Sequence, residues 1–494
     1  MNAVVPLPIV LPIVGAALSL LAWRRQRIQR AISAVALLAA LGSAVTVLAS
    51  VVADEAPIAV RIGGSAPVIG IVLVADRLSA LLLVVAVAML AVVLVYAVGQ
   101  RTPDERSRAY HPAYLVLTAG VAGAFLAGDL FHLFVAVEVL LIASYVLLML
   151  EGSNAQVRAG TTYVVINILE SMLLLAAIGL VFAATGTVSM ALLPERIAAL
   201  DSGVRWGLNG MLFVAFGLKA AVFPLFSWLP DSYPTAPSPV TAVFAGLLTK
   251  IGVYALVRTE TLLFPGEQEV LLLVVAALTM IVGVLGALAQ GDMKRILSFH
   301  IVSQIGYMVL GIGIGTPAAL AATVFFIVHQ IPVKTSLFLV EGIVERETGT
   351  SRLAEVGGLL HRSGWLAVLF GVSALSLAGV PPLSGFVGKL GIVEAAASDG
   401  QWMMLAVALA VSLLTLVSMV KIWVGLFWGE VMPVPPADRA RGLLRRTPVM
   451  AGATIVAVGF GVAIAVVSGP LYRLCADIGA ELLDPSAYIR AVTG

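Results

Sequence analysis

Fourteen stretches of this 494-residue chain are apolar and nearly free of charge, each about the length needed to cross a bilayer. A membrane helix needs about 20 apolar residues to cover roughly 30 Å of hydrocarbon. Read between charged or Gly/Pro-rich boundaries, the runs lie near 4–23, 31–53, 78–99, 111–128, 130–150, 161–184, 207–228, 239–257, 270–290, 296–315, 317–343, 365–396, 402–428 and 449–469. The twelfth is too long for one straight crossing and contains Gly379, Pro381, Pro382 and Gly385, so it is expected to be a broken helix. The pattern predicts an all-α polytopic membrane protein of about 14 transmembrane helices.

Composition closes the alternatives. Only 11% of residues are charged and 61% are hydrophobic, whereas soluble proteins average roughly 25% charged. So few charges cannot cover a soluble surface. Abundant Leu, Ile and Val, the lack of a glycine period and the single cysteine, Cys475, exclude disordered, collagen-like and disulfide-scaffold classes.

The first run has no basic residue before it, and Arg24, Arg25, Arg27 and Arg30 follow it, the reverse of a cleavable signal. It is expected to stay in the membrane. Alternating the loops puts 17 Lys/Arg on the side of loop 24–30 and 7 on the other. The positive-inside rule makes the richer side cytoplasmic, with both termini outside the cell membrane.

Lysine is used differently from arginine. The chain has 23 Arg but only six Lys, and five of these (Lys219, Lys250, Lys334, Lys389 and Lys421) fall inside apolar runs, with Lys294 placed in a connecting loop. A lysine at mid-span costs about 2.5–3.5 kcal/mol on insertion scales, so four near mid-depth would cost on the order of 10 kcal/mol unless they face a protein-lined or hydrated interior. Lys250 lies 11 residues after Pro239, and Lys219 lies 12 after Gly207. At 1.5 Å per residue these are depths of about 16 and 18 Å, and Glu138, nine residues beyond Asp129, is at about 14 Å. One glutamate and two lysines at a common depth supply the pairing that burial demands.

Helix breaks accompany the lysines. Pro224 follows Lys219 by five residues and removes a backbone donor within reach of it. Val380-Pro381-Pro382 and Gly385 interrupt the run before Lys389, and Pro332 lies between His329 and Lys334. Broken helices at mid-depth expose carbonyls, which is tolerated only where protein or water lines the site, and transporters bind ions at such breaks. Glu170 is also near mid-depth but has no evident partner. Lys421 fits either a buried role or snorkelling to the interface. Glu341, seven residues after Lys334, reads as an end residue, and Glu394 as capping the outer end of its run.

Runs 4–8 and 9–13 form two blocks of five that enter from opposite sides, as inverted repeats do. The expected divisions are 1–110, 111–258 (first repeat), 259–430 (second repeat) and 431–494, the last with one helix and a short outer tail. No CxxC, HExxH, carboxylate cluster or GxGxxG in a strand–helix context is present, so no cofactor and no metal is expected. The five histidines, at 111, 132, 300, 329 and 361, are scattered.

The segments KAAVFPLFSWLPDSYPTAPSPVTAVFAGLLTKIGVYALVR from Lys219, GDMKRILSFHIVSQIGYM at 291–308, HQIPVKTSLFLVEG at 329–342 and AGVPPLSGFVGK at 378–389 resemble the antiporter-like subunits shared by respiratory complex I and Mrp-type multisubunit sodium/proton antiporters. The Mrp D-type branch is the nearest. Tyr233 stands where complex I chains usually have the histidine of WLPDAH, and Lys389 where the M-type chain usually has glutamate. The resemblance implies broken seventh and twelfth helices and a line of buried charges at Glu138, Lys219 paired with it, Lys250, His329 with Lys334, and Lys389. It further implies proton translocation in a complex with partner subunits of the Mrp A, B, C, E, F and G types, exchanging Na+ for protons. Two other readings fit parts of the pattern. One is a proton-pumping subunit of a complex I-like NADH:quinone oxidoreductase or a membrane hydrogenase, and the other is a non-transporting membrane scaffold.

Overall fold

The chain is described by a computed structural model covering residues 2–62, 71–150, 152–429 and 447–494. The basic loop joining the last two apolar runs therefore falls largely outside the described residues. Every apolar run carries helix. In chain order these are α1 (Leu7–Leu21), α2 (Gln26–Ala53), α3 (Arg77–Gln100), the short α4 (Pro103–Arg106), α5 (Tyr110–Leu126), α6 (Leu130–Leu148) and α7 (Asn154–Thr185). Then come the short α8 (Leu193–Ala198), α9 (Ser202–Ala220), the short α10 (Trp228–Ser232), α11 (Ser238–Leu263), α12 (Glu269–Ala289), α13 (Met293–Ile314) and α14 (Pro317–Thr348). The short α15 (Leu359–Arg362), α16 (Gly364–Ala378), α17 (Ser384–Ser398), α18 (Trp402–Phe427), α19 (Pro448–Val466), α20 (Ser468–Leu483) and α21 (Ser486–Thr493) complete the chain. Among the described residues, ten helices are long and apolar enough to cross a membrane, and α1, α5 and α16 are shorter apolar helices.

Burial identifies the centre of the bundle. The apolar windows of α11 and α14 are wholly buried and that of α13 is 94% buried, whereas those of α7 and α18 are only one-third buried. Leu169, Met172, Leu175 and Leu413 face outward, as lipid-exposed residues do. A helix apolar all round and buried all round is a core helix, so α11 and α14 form the axis against which the ionisable groups are arranged.

Two expected breaks are present and one is not. The helix of Lys219 ends at Ala220 with Ala221 in the left-handed conformation (φ 61°), and helix resumes at Trp228. The twelfth run ends its first half at Ala378, with Gly379 at φ 86°, and resumes at Ser384. Pro332, by contrast, lies inside an uninterrupted α14. A proline removes one backbone bond, and the neighbouring helices that enclose α14 keep it helical past the gap.

Three further features lie beyond the sequence expectation. Residues 58–61 and 72–75 pair as an antiparallel hairpin, β1 (Ile58–Arg61) with β2 (Val72–Ala75), register Ile58 to Ala75 and Arg61 to Val72. The expected short tail folds as α20 and α21, and α20 packs along α14. On the face carrying loop 24–30, here the basic face, Glu105 is buried and takes two hydrogen bonds from Arg30, at 2.8 and 2.7 Å. The His111 ring lies 3.3 Å from the same carboxylate and 3.2 Å from the Ser33 hydroxyl. This cluster ties α2, α4 and α5 together at their ends.

Candidate functional site

Polar residues at i, i+3 and i+4 share a helix face. Asn167, Glu170 and Ser171 have that spacing on α7 and turn toward the end of α9. Lys219, in the last turn of α9, is 3% exposed, and its Nζ donates to Glu170 Oε2 and Asn167 Oδ1, each at 3.4 Å. Asn167 is itself fixed by its Nδ2 donating to the Tyr163 carbonyl at 2.7 Å. Glu138, on α6, accepts a hydrogen bond from the Ser171 hydroxyl and is only a longer-range charged neighbour of Lys219. The direct Glu138–Lys219 pair implied by the resemblance is therefore corrected. Glu170 is the partner, because α7 is packed directly against α9 and brings its polar face to the amine. The three-residue polar face in an apolar run was the sequence signal for it.

Lys250 is 2% exposed and follows a π-helical stretch, Phe244–Leu248, within α11. A π turn shifts backbone bonding from i+4 to i+5, and such turns recur at functional sites. The Lys250 amine donates to the Ala245 carbonyl at 2.6 Å and to Thr249 Oγ1 at 3.4 Å. Among the described residues no carboxylate touches it. Glycines bring its helix close to both neighbours: a Cβ at Gly252 would strike the Ala220 backbone, and one at Gly246 would strike the Thr335 hydroxyl of α14.

On α14, Lys334 is fully buried and its Nζ has no hydrogen-bond partner among the described residues. Its charged neighbours are Lys250 and Lys389. His329 is also fully buried, with Nδ1 2.8 Å from the Ser384 hydroxyl at the start of α17 and Nε2 without a partner. Five residues of α-helix place His329 and Lys334 on different faces, so they act on different neighbours rather than on each other.

Lys389, on α17 and 5% exposed, donates to the Ala378 carbonyl and to Ser412 Oγ, each at 3.1 Å. Ala378 is the last residue of α16, so the break supplies that acceptor. The amine also sits 4.9 Å from the centre of the Tyr307 ring, a cation–π arrangement. His300, 2.8 Å from Ser418 Oγ, and the Gln330 amide, donating to Gln304 Oε1 at 3.4 Å, add buried polar groups in the same half. Tyr307, His300, Gln304 and Gln330 were not singled out from sequence, where one polar residue in an apolar run carries no direction.

The remaining ionisable residues separate by role. Lys421 donates to the carbonyls of Leu288 (2.8 Å) and Gln290 (2.6 Å), capping the end of α12, which is a structural role. Glu394 is exposed. Lys294 is not in a loop: it lies in the first turn of α13, 4% exposed, 2.7 Å from Glu345. Glu341 is not an end residue either: it is completely buried, and among the described residues no ion pair reaches it. Among the described residues no group of three or more His, Cys, Asp or Glu is arranged to hold a metal.

Buried amines and carboxylates spread through a helical bundle, with the amines of Lys219 and Lys389 beside interrupted helices, define a polytopic membrane protein of the antiporter-like class. The family described as NADH:quinone oxidoreductase/Mrp antiporter, TM, matches residues 127–415, and the chain belongs to it, in the branch of the D-type Na(+)/H(+) antiporter subunits. The D-type Na(+)/H(+) antiporter chain of Alkalihalophilus pseudofirmus is 42% identical over 498 residues, covering 100% of this chain and 99% of that protein. The Bacillus subtilis protein of the same name is 36% identical over 500 residues, with the same coverage. A chain of the Mrp complex from a Dietzia species superposes with a TM-score of 0.93 at 34% identity, covering 100% of both chains. A chain of respiratory complex I from Thermus thermophilus gives 0.80 at 25% identity, covering 97% of this chain and 99% of that one.

Proposed function

We propose that this chain is the proton-translocating subunit of a multisubunit Na+/H+ antiporter. Protons move along a buried row running from Glu138 and the Glu170–Lys219 pair through Lys250 and Lys334 to His329 and Lys389. The basic face is cytoplasmic and both termini lie outside the cell membrane, as the Lys/Arg asymmetry requires. The two five-helix blocks act as inverted repeats, each contributing one interrupted helix. The chain works with Mrp partner subunits of the A, B, C, E, F and G types, a reading supported by its likeness to a chain of the Mrp complex from a Dietzia species.

One observation carries the reading: Lys219, Lys250, Lys334 and Lys389 are all 5% exposed or less, and among the described residues only Lys219 of the four has a carboxylate in contact. Burial disfavours the charged form of an amine and a nearby carboxylate favours it, so each lysine's protonation responds to its neighbour's charge. Closing the Glu170–Lys219 pair withdraws positive charge from Lys250, which then holds a proton. Opening the pair expels it toward Lys334. The test is antiport by the whole complex in proteoliposomes. Lys219→Ala and Glu138→Ala should each abolish exchange with assembly intact, and full exchange in both would overturn the proposal.

A further inference from the structure

A buried proton path needs a route from bulk water, and the interrupted helices are natural places for one. The structure carries a different arrangement at the basic-face end of α14. Glu345 has a half-exposed side chain and lies one helical turn beyond Glu341. Its Oε2 accepts from Lys294 Nζ at 2.7 Å and from Ser238 Oγ at 3.2 Å. One turn inward, Glu341 is fully buried, and among the described residues no ion pair reaches either of its oxygens. Two turns further in, on the same face, lies Lys334, also fully buried and without a hydrogen-bond partner among the described residues. Seven residues at 1.5 Å put about 10 Å along the axis between them.

We propose that Glu341 is the proton-relay carboxylate through which the basic face loads Lys334, with Glu345 and Lys294 forming the mouth of the route. The inference rests on the proton-path reading above and extends it to the point of uptake. An unpaired carboxylate in a membrane span is costly, and such groups mark ion and proton pathways. The ionised form of Glu341 takes a proton delivered by water past Glu345 and becomes the neutral acid. That acid then returns its proton through water to the neutral amine of Lys334, leaving a carboxylate and an ammonium ion. No charge crosses except the proton itself.

The surroundings keep the relay narrow. Gly342 packs so closely on Ser238 and the Tyr96 hydroxyl that a Cβ there would collide with both. The Tyr96 hydroxyl is committed to the Leu339 carbonyl at 2.8 Å. The charged and titratable groups facing Glu341 are Lys294 and Asp292 at the start of α13, Glu345 on its own helix, and Tyr96 on α3. Lys294 is the one cation in that set, and it is already paired with Glu345, so it holds the mouth open to protons without neutralising Glu341 permanently.

The experiment uses the assembled complex in proteoliposomes with the pH of each side set separately, comparing Glu341→Gln, Glu341→Asp, Lys219→Ala and Glu138→Ala. Glu341→Gln should slow exchange on the order of tenfold or more, Glu341→Asp should restore most of it, and the aspartate variant's rate should shift in its dependence on basic-face pH alone. Wild-type rates in Glu341→Gln at every pH, with Lys219→Ala inactive, overturn the relay and leave the proton-path reading standing. Full exchange in Lys219→Ala, together with full exchange in Glu138→Ala, overturns that reading itself. Should Glu341→Gln not assemble, dicyclohexylcarbodiimide on the wild-type complex decides: labelling of Glu341 in step with loss of exchange supports the relay, and exchange lost without label at Glu341 overturns it.

Discussion

The Lys219 amine stands 3.4 Å from both Glu170 Oε2 and Asn167 Oδ1, while the other oxygen of Glu170 has no hydrogen-bond partner. The ion pair is thus made through one oxygen and shared with a neutral amide. Such a pair can open without stranding the lysine, because Asn167 continues to accept from it. Glu138 waits on the far side of Ser171, near enough to act as a charged neighbour of both members.

Removing one member of a buried ion pair leaves the other uncompensated, at a cost of about 3–5 kcal/mol. Glu170→Ala should therefore lower the thermal midpoint of the purified complex more than the Glu170→Ala/Lys219→Ala double variant does. Both should lose exchange. Equal midpoints for the single and double variants, measured as a double-mutant cycle, would show that Asn167 satisfies the lysine without Glu170.

Lys421 should behave in the opposite way. Its two hydrogen bonds close the free carbonyls at the end of α12, and bonds to a charged donor contribute about 1.5–3 kcal/mol. Lys421→Met is expected to reduce stability by an amount of that order while the exchange rate per assembled complex stays within about twofold of wild type. A large fall in rate at unchanged stability would place Lys421 on the proton route.

The placement of these residues shows which kinds of information a sequence holds. Run length and the positions of Pro224, Pro381 and Pro382 locate spans and breaks because both depend on the local chain. The choice of Glu170 over Glu138 depends on how α7 is rotated against α9, and rotation is a tertiary quantity. Only the Asn167–Glu170–Ser171 face hinted at it. Glu341 and Lys294 looked peripheral by depth along their own helices, yet the ends of α3, α11 and α13 close over that region and bury them. Pro332 promised a break that the surrounding helices suppress, and the π turn before Lys250 has no residue signature at all. The β1–β2 hairpin and α20 lie in segments without a full-length apolar run, where the span pattern is silent.

Acid should loosen the basic-face clasp. Burial pushes the Glu105 carboxyl up, but hydrogen bonds from His111 and Arg30 outweigh it and hold the group below the usual carboxylate range. A carboxylate with a depressed folded-state pKa contributes stability that is fully present above its unfolded value, roughly 4.3, and is lost as the pH falls through the folded value. The thermal midpoint of the wild-type complex should drop as the pH is lowered through and below about 4. Glu105→Gln should start lower at neutral pH and lose less over the same interval. Parallel acid profiles for the two proteins would mean that Glu105 contributes nothing to the pH dependence.

Lys250 offers the sharpest separation between holding a charge and moving a proton. Its amine is anchored by the Ala245 carbonyl at the π turn and by Thr249, with no carboxylate in contact. Arginine keeps the positive charge and can donate to the same carbonyl, but it does not release its proton at any physiological pH. If Lys250 served only to fix the packing of α11, Lys250→Arg would cost some stability from its larger head and leave exchange running. If the proton passes through this amine, Lys250→Arg should assemble yet fall on the order of a hundredfold or more in exchange. Lys250→Met should fail to a similar degree, because deleting the site and locking it charged both interrupt transfer. Measuring rate and assembly together for the two variants separates these cases: loss of exchange in an assembled Lys250→Arg complex is the result that packing alone does not produce.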